Sequence, residues 1–507
     1  MSSHKIITVE ELAKVSYVQR AQGKKVVLCH GSFDLMHAGH IRYLQRAQRE
    51  GDVLLVTLTA DDYVNKGPGR PVFTEQLRAE SLAALGCVDY VAINHAVTAV
   101  ELLEKVRPSL YVKGSEYRDH AGDITGNITR EIQVVESYGG EIFYTDEITF
   151  SSSSLLNEHF GVFSPETKKF LEEFALQYSD KNIHAQIDSL EPLKVLVIGD
   201  AIIDQYHYVA PLGQTGKGNV LAVRYQAEEQ FAGGSLAVAN HVSKFVKNVD
   251  LLTGLGRIDS HEKFIRDKLN KNINPVFVYF EDAPTVTKRR FVDADLAKFF
   301  EIYFFNDFPE LEDQGKQALS WLNLNLPLYD LVIVADFGNG FISQEMIELL
   351  CLKAQYLAVN TQINSGNRGF HVINRYSRAD FVSLNEPELR LAAHNRHDLL
   401  EDICLDVSGR LGTKSFAVTR GTKGVIFFDA KTNSFNRIPA LSSKVVDRIG
   451  AGDAFLSLAA LCLAAGLKPE VANFIGSVAA AIDVQIVCNR EPIDPVNLKK
   501  YISTLLK

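Results

Sequence analysis

The sequence predicts an α/β fold in two domains, and three observations indicate it. Short apolar runs alternate with segments of helical periodicity, the pattern of β-α-β units with parallel strands. At 507 residues the chain is too long for one ordinary hydrophobic core. A polar helical stretch, PETKKFLEEFALQYSDKN, separates two such alternating regions. We therefore predict a first domain over residues 1–159, a helical linker over 160–192 and a second domain over 193–507.

Composition narrows the class of protein. Hydrophobic residues at 46% and charged residues at 23% are typical of a soluble globular chain. A net charge of -9 provides no basic field for nucleic acid or an anionic membrane, so we expect neither partner. The six cysteines include no CxxC pair, and the N-terminus has no apolar signal segment. We expect a reduced, cytoplasmic protein without a zinc site.

The predicted elements of the first domain alternate regularly from Lys24. In order they are strand KKVVLCH, helix IRYLQRAQREG, strand GDVLLVTLTADD, helix Glu75 to Leu85, strand VDYVAI, helix VTAVELLEKVRPS, strand LYVKG and a helix from about Thr129 to Tyr138. Such an order predicts a parallel sheet, whose ligands bind where strands end and helices begin.

The string GSFDLMHAGH, residues 31–40, lies at the first such junction. Free N–H groups and the helix dipole make the junction a cradle for a triphosphate. His37 and His40 are three residues apart, so both can donate hydrogen bonds to the same phosphates. Gly39 leaves room for the nucleotide to approach the backbone. The other predicted nucleotide-binding residues here are Gly31, Ser32, Phe33 and Asp34.

This string resembles the cytidylyltransferase-like superfamily, and three further segments narrow the resemblance. Lys66 and Arg70 stand in KGPGRP, similar to the family's KGxxRP loop, which implies that they supply cations to the triphosphate. Lys113 begins KGSEY, similar to the KGGDY segment of the heptose-phosphate adenylyltransferase branch. A serine cluster similar to that branch's helix start comprises Ser152, Ser153 and Ser154. Glycerol-phosphate cytidylyltransferases have an RTxGISTT-like segment in place of this serine cluster, so the heptose branch fits better. One segment of this chain, RDHAGDITGNITR, departs from the heptose pattern, which indicates that the acceptor sugar differs.

The second domain begins at LKVLVIGD, and its clearest motif is DRIGAGDAF before an apolar helix. The turn of Gly450, Ala451 and Gly452 makes an anion hole for the γ-phosphate of ATP. Phosphoryl transfer to an alcohol needs a base near the hydroxyl, with Mg²⁺ bridging the phosphates. Asp453 stands at the helix start, where that base is needed.

This motif resembles the DTxGAGD signature of the ribokinase (PfkB) family, with Arg448 in place of the usual Thr. The resemblance implies a ribokinase-like α/β domain with a small β lid beside a Rossmann-like nucleotidyltransferase domain, and a homodimer through the kinase. It further implies sugar-contacting residues on the first strand, in a glycine pair and in a DYxKG-like segment: Asp200, Asp204, Gly233, Gly234 and Asp336. It implies a nucleotide-side TxGxxG loop of Thr419, Gly421 and Gly424. Asn385 and Glu388 form an NxxE motif for phosphate and Mg²⁺, or alternatively a plain helix cap.

Three positions depart from the heptose-kinase pattern. Asn339 stands where Lys is usual, Ala237 where Asn is usual and Asn360 where Asp is usual. These departures indicate altered sugar specificity or a non-catalytic kinase-like domain. The domain order is also the reverse of that in familiar bifunctional enzymes of ADP-heptose synthesis.

The function predicted from these resemblances is bifunctional nucleotide-sugar synthesis. A kinase phosphorylates a heptose-like sugar phosphate, and a transferase joins a sugar-1-phosphate to an NTP, ATP being favoured, with release of pyrophosphate. One alternative is a CTP-dependent transferase for a polyol phosphate fused to its kinase. Another is an active transferase with a kinase-like module that only binds or dimerises.

Overall fold

The structure, a computed structural model, describes residues 3–64, 70–118, 127–145, 163–216, 218–306, 312–367, 369–442 and 444–507. By its internal contacts the chain divides into two compact units. The first comprises Met1–Ser164 with Lys499–Lys507, and the second comprises Pro165–Leu498. Among the described residues, no helix combines the length and apolarity that a bilayer crossing requires.

The first unit contains a parallel sheet with the strand order β3-β2-β1-β4-β5. Its strands are β1 (Val26–Gly31), β2 (Val53–Thr59), β3 (Tyr90–Asn94), β4 (Leu110–Gly114) and β5 (Glu141–Thr145). Its helices are α1 (Val9–Ala21), α2 (Ala38–Gln48), α3 (Glu75–Ala83), α4 (Val100–Val106) and α5 (Asn127–Ser137). The helix predicted from Glu75 and the one predicted near Thr129 are both present.

Helices cover both faces of this sheet, which explains why β1 reads as a continuous apolar run. Val27 and Cys29 pack into one core cluster with residues of α2 and α3. Val26 and Leu28 point the other way, into a cluster with residues of α1, α4 and α5. Strand order reverses between β1 and β4, so the carboxyl ends of these two strands flank the crevice in which such sheets bind ligands.

The second unit is organised around one long strand, β6 (Val195–Gln214), which belongs to two sheets. Its first residues, up to Asp200, pair in parallel within the main sheet. From Ala201 onward the strand pairs antiparallel with β7 and parallel with β10. Strands β7, β10 and β11, together with the second part of β6, form a smaller sheet that we call the lid. The main sheet has the order β9-β8-β6-β12-β13-β14-β15-β16-β17.

The other strands of this unit are β7 (Leu221–Gly234), β8 (Val249–Ile258), β9 (Ile273–Pro284), β10 (Thr287–Val292), β11 (Lys298–Phe304), β12 (Leu331–Asp336), β13 (Leu357–Thr361), β14 (Phe381–Asn385), β15 (Ser415–Thr419), β16 (Val425–Asp429) and β17 (Ser434–Ile438). The helices from residue 165 onward are α6 (Pro165–Gln177), α7 (Asp180–Asp188), α8 (Ser235–Ser243), α9 (Glu262–Lys268), α10 (Glu312–Asn325), α11 (Gln344–Lys353), α12 (Glu386–Ala392), α13 (Leu400–Leu411), α14 (Ala451–Ala464), α15 (Pro469–Asp483) and α16 (Pro495–Leu505). Helix α14 is buried from Ala454 to Leu463. A helix buried all round needs the apolar sequence LSLAALCLA that follows the glycine turn.

Candidate active sites

The first candidate site lies where β1 ends and α2 begins. His37 is the N-cap of α2, and its Nδ1 accepts a hydrogen bond of 3.1 Å from the backbone N–H of Gly39. The rings of His37 and His40 stack with their centroids 4.0 Å apart, so the two imidazoles share one face of the junction. Burial lowers the pKa of His37, which favours the neutral ring. Because Nδ1 is the acceptor, the proton of this neutral ring lies on Nε2, which makes Nε2 a donor.

Asp34 anchors a neighbouring loop. Its Oδ1 accepts hydrogen bonds from the backbone N–H groups of Val72, at 2.6 Å, and Phe73, at 3.4 Å. Its Oδ2 lies 3.6 Å from Arg70 Nη1, and both side chains are buried. The carboxylate therefore fixes Arg70 and the residues that follow it against the segment that carries the two histidines. Lys66, predicted in the same loop, lies outside the described residues, as do Ser152, Ser153 and Ser154.

Two further buried cations support this junction. Lys113, at the carboxyl end of β4, forms an ion pair of 2.9 Å with Glu131, and Tyr111 donates a hydrogen bond to the same carboxylate. Arg78 is 1% exposed and donates to the carbonyl oxygen of Ser32 at 2.5 Å. Arg78 was not among the residues predicted from the sequence, because a single arginine within a helix carries no local signal of burial.

The second candidate site is a cavity of about 830 Å³ in the second unit. It brings together most of the kinase residues predicted from the sequence, which come from the glycine turn, the NxxE motif, the TxGxxG loop and the lid. These lining residues are Asp204, Gly234, Asn385, Glu388, Thr419, Gly421, Gly424, Gly450, Ala451, Gly452 and Asp453. The cavity thus joins a loop-to-helix anion site to a polar wall from the lid.

Asp453 lies in the first turn of α14, behind the glycine turn. Gly450 has φ +102°, and a Cβ there would lie 2.3 Å from Asn489 Oδ1, so only glycine fits this turn. Burial and the neighbouring Asp204 carboxylate raise the pKa of Asp453 to about 7, and Lys288 opposes the rise. A carboxylate with such a pKa can act as a general base near neutral pH.

The lid wall carries an ion-pair network around Asp204. The buried Asp204 carboxylate accepts a hydrogen bond from Arg290 Nη1, and Arg290 Nε donates to Glu301 at 3.0 Å. Lys288, on the same strand as Arg290, also lines the cavity and is 8% exposed. Lys288, Arg290 and Glu301 were not among the residues predicted from the sequence. Their signal was weak: Lys288 and Arg290 alternate in TKRRFV, which puts both on one face of a strand.

Three predicted substrate-binding residues, Asp200, Gly233 and Asp336, lie outside the lining of this cavity. Asp200 accepts hydrogen bonds from the backbone N–H groups of Phe337, at 2.9 Å, and Asn339, at 3.4 Å. Asp336 accepts a hydrogen bond of 2.8 Å from Tyr376 and lies 2.7 Å from His371 Nε2. Both carboxylates fix the segment after β12.

The three positions that depart from the heptose-kinase pattern also lie away from the cavity lining. Asn339 lines a separate small cavity with Asp200. Asn360 donates a hydrogen bond of 2.7 Å to the Ser383 carbonyl oxygen, and Ala237 is buried in α8. None of the three therefore removes a side chain from the wall formed by Asp204 and Asp453.

The NxxE motif combines a structural and a chemical role. Asn385 caps α12, and a reciprocal bond of 2.8 Å joins Glu388 Oε2 to the Asn385 N–H. Glu388 Oε1 accepts from the Ile363 N–H at 3.3 Å. Burial raises the pKa of Glu388 to about 7, and its side chain lines the cavity. Among the described residues, no group of three or more His, Cys, Asp or Glu side chains forms a ready-made metal centre.

Residues 192–493 match the description "pfkB family carbohydrate kinase", and this match covers more than half of the chain. The chain belongs to the pfkB family. Residues 28–158 match the "Cytidylyltransferase-like" description. Together with the two sheets, these matches confirm the predicted fold class: a Rossmann-like nucleotidyltransferase domain followed by a ribokinase-like domain with a β lid.

Two solved structures are similar to this chain over about three fifths of its length. Phosphofructokinase-2 from Escherichia coli, in complex with substrates and products, is 14% identical and covers 62% of this chain and 100% of its own, with a TM-score of 0.50. Ribokinase from Thermotoga maritima is 20% identical and covers 61% of this chain and 99% of its own, with a TM-score of 0.48. At 14% identity the likeness to phosphofructokinase-2 concerns the fold alone.

The curated relatives are similar in the nucleotidyltransferase region. "Bifunctional protein HldE" of Syntrophotalea carbinolica is 41% identical over 156 residues, which are 30% of each chain. The protein of that name from Geobacter sulfurreducens is 41% identical over 140 residues, 27% of each chain. The chain thus spans about 30% of the length of the curated relatives it matches.

Proposed function

We propose that this pfkB-family chain carries out two steps of nucleotide-sugar synthesis. Its second unit phosphorylates a heptose-like sugar phosphate with ATP. Its first unit transfers a nucleotidyl group from an NTP, preferably ATP, to a sugar-1-phosphate and releases pyrophosphate. One observation carries the proposal: each unit has a loop-to-helix junction that combines an anion cradle with a group suited to the chemistry, His37 in one and Asp453 in the other.

In the kinase reaction Asp453 takes the proton of the acceptor hydroxyl. The hydroxyl oxygen then bonds to the γ-phosphorus while the bond to the ADP oxygen breaks. The N–H groups of the turn at Gly450 and Gly452 hold the γ-phosphate oxygens, and Asp204 binds sugar hydroxyls. The pKa of about 7 supports this role for Asp453, because a weaker acid is a stronger base.

Mg²⁺ is the cofactor we propose for both reactions. In the kinase cavity the fit rests on Glu388, a buried carboxylate whose oxygens accept backbone N–H bonds from Asn385 and Ile363 and keep further lone pairs. Magnesium in kinases is held mainly by phosphates and water with one or two carboxylates. Glu388 would hold the ion, directly or through water, and the ion would neutralise phosphate charge.

In the transferase reaction the acceptor phosphate attacks the α-phosphorus of the NTP, and pyrophosphate leaves. No base is needed, because the attacking oxygen is already ionised. His37 donates from Nε2, and His40 lies stacked beside it, so both rings can stabilise the charge on the phosphate oxygens. Arg70, fixed by Asp34, adds a cation from the neighbouring loop.

The test is a matrix of nucleotides against acceptors. Pyrophosphate release is measured with ATP and CTP against sugar-1-phosphates and polyol phosphates, and ADP release against sugar phosphates and free sugars. We expect pyrophosphate from ATP with a heptose-1-phosphate, and ADP with a heptose phosphate. Preference for CTP with a polyol phosphate would instead favour a cytidylyltransferase fused to its kinase. Pyrophosphate release without any ADP release would mean a non-catalytic kinase-like unit, the reading motivated by Asn339, Ala237 and Asn360.

We also propose that the chain forms a homodimer through the outer face of the lid. Phe300, Ile302 and Phe304 alternate along β11 and are 42%, 41% and 38% exposed. Phe291 stacks on Phe300 at 4.5 Å, which extends this apolar stripe to β10. A second copy would cover the stripe. Light scattering should give a dimer mass for the natural chain and a monomer mass for Ile302→Glu, and an unchanged mass would contradict the proposal.

The proposed location is the cytoplasm. All six cysteines are free thiols, which is usual in a reducing compartment. ATP, the substrate proposed for both reactions, is also available there. Fractionation of the source cells should recover the chain with cytoplasmic markers.

A further inference from the structure

Lys288 is a buried cation whose ammonium makes no direct contact with a described carboxylate, although Asp204, Glu301 and Asp200 attract it at longer range. Its side chain is 8% exposed, yet it forms neither a hydrogen bond nor an ion pair with any described residue. Its ammonium lies 5.6 Å from the ring centroids of Tyr303 and Phe337. A buried ammonium that no hydrogen bond or close ion pair satisfies is costly, and an arriving anion would lower this cost.

Lys288 lies near both carboxylates that the kinase reaction requires. In the lid it pairs in register with Asp204, the proposed ligand of sugar hydroxyls. It is also the cation that opposes the rise in the pKa of Asp453. Both carboxylates and Lys288 line the same cavity. The acceptor hydroxyl and the phosphorus it attacks must meet in the space between these carboxylates.

The neighbouring cations are already engaged, unlike Lys288. Arg290 bonds to Asp204 and Glu301, and Lys298, at the exposed rim, lies 3.7 Å from Glu301. Asn339, where the heptose-kinase pattern has a lysine, faces a separate cavity. Lys288 is therefore the one described cation of the lid wall that can neutralise a new negative charge.

We propose that Lys288 contacts the phosphoryl group in transfer and neutralises the charge on its oxygens. The inference rests on the kinase activity proposed above. As the acceptor oxygen bonds to the γ-phosphorus, the bond to the β–γ bridging oxygen breaks and ADP leaves. The hydroxyl proton passes to Asp453, and Lys288 keeps its own proton throughout.

Kinetics of the full chain test this role. The variants are Lys288→Met, Lys288→Arg and, as a matched control, Lys263→Met at an exposed lysine of α9. The acceptor is the sugar phosphate that the natural chain uses best. We expect Lys288→Met to lower kcat about 10²- to 10³-fold, with little change in the KM for ATP. Lys288→Arg should restore part of the rate, and Lys263→Met should behave like the natural chain.

The pH profile separates catalysis from a structural role. Burial lowers the pKa of Lys288, so its ammonium should lose a proton within reach of an alkaline titration and kcat should fall there. In Lys288→Arg this alkaline limb should move to higher pH, because a guanidinium stays protonated. A merely structural lysine would not move the limb. Unchanged kcat in Lys288→Met, or an effect confined to the acceptor KM, overturns the proposal.

A second measurement does not depend on the acceptor. The natural chain is treated with acetic anhydride, and the acetylation of Lys288 and Lys263 is followed by mass spectrometry. MgATP should slow the modification of Lys288 and leave that of Lys263 unchanged. If no sugar phosphate is turned over but MgATP protects Lys288, the proposed substrate is wrong and the contact stands. If turnover occurs and Lys288 is unprotected, or is unreactive without MgATP, the contact is wrong and the kinase activity stands.

Discussion

Gly233 lies directly against the carboxylate of Asp204. A Cβ at position 233 would be 2.1 Å from Asp204 Oδ2, far inside van der Waals contact. Arg290 holds the other oxygen of this carboxylate, so it cannot simply turn away. The family resemblance identified the glycine pair as lying beneath the sugar. The structure gives the physical reason: the glycine lets the acidic residue lie against the lid strand.

Replacing this glycine should impair the kinase reaction selectively. We expect Gly233→Ala to displace Asp204 and raise the acceptor KM about tenfold, since overpacking of this kind costs ~1–3 kcal/mol. Pyrophosphate release by the transferase should be unchanged and serves as an internal control. Gly409→Ala is the matched variant, because a Cβ there meets nothing within 4 Å. Normal kinase kinetics in Gly233→Ala would contradict the role of Asp204.

Asp453→Asn should abolish phosphorylation and leave nucleotidyl transfer intact. Loss of a general base costs about 10²- to 10⁴-fold in kcat. In the natural chain the base must be ionised, so kcat should rise with pH and level off above the pKa of about 7. Steady-state ADP release across pH gives both results. If Asp453→Asn still showed the same fall in kcat at acid pH, the group that titrates there would not be Asp453.

Asp453→Asn, which should remove the kinase activity, should nevertheless stabilise the folded chain above neutral pH. Because the pKa of Asp453 is raised from 3.8 to about 7 in the folded chain, folding favours the protonated acid. The stability associated with this group is therefore present at low pH and is lost as pH rises through that range. Asn, which is always neutral, should raise the Tm at about pH 8 and change it little at about pH 4. A scanning-calorimetry series checks the sign.

The sequence predicted the two junctions better than the wall of the kinase cavity. Glycine turns before periodic apolar segments indicate anion sites locally, so the junctions at His37 and Asp453 followed from short strings. Lys288 could not be found in this way. It meets Asp204 only because β10 pairs with β6 across 84 residues of sequence, and a register is a property of the folded sheet. Asp200 is the converse case: it lies outside the cavity lining and binds a backbone segment, as an acid at a strand end can do as readily as it can bind a sugar.

Asp34 offers a test of loop anchoring in the transferase. Asp34→Ala leaves the Val72 and Phe73 N–H groups without their acceptor, a loss of ~1–3 kcal/mol. We expect the loop and Arg70 to shift and the KM for the NTP to rise. Asp34→Asn keeps an oxygen at Oδ1 and should show a smaller effect. Pyrophosphate release measures both variants, and equal KM values for all three proteins would mean that the carboxylate has no part in positioning Arg70.

His37 combines a helix cap with a phosphate donor, and two substitutions separate these roles. Asn is among the best N-cap residues, so His37→Asn should keep the cap on the Gly39 N–H and lose only the Nε2 donor. His37→Ala loses both. We expect pyrophosphate release to fall about 10²- to 10³-fold in each variant, because each lacks the donor that stabilises the transferred phosphate.

Only His37→Ala should also lower the Tm, since a lost cap costs ~1 kcal/mol. ADP release by the kinase serves as the control for both proteins. Full transferase activity in His37→Asn would mean that the imidazole serves the helix and not the nucleotide.

The neutral ring assigned to His37 adds a second check. Because burial lowers its pKa below 6.5, its protonation should not affect the rate at neutral pH, and an acid limb near pH 7 that disappears in His37→Asn would refute the neutral ring assigned to His37.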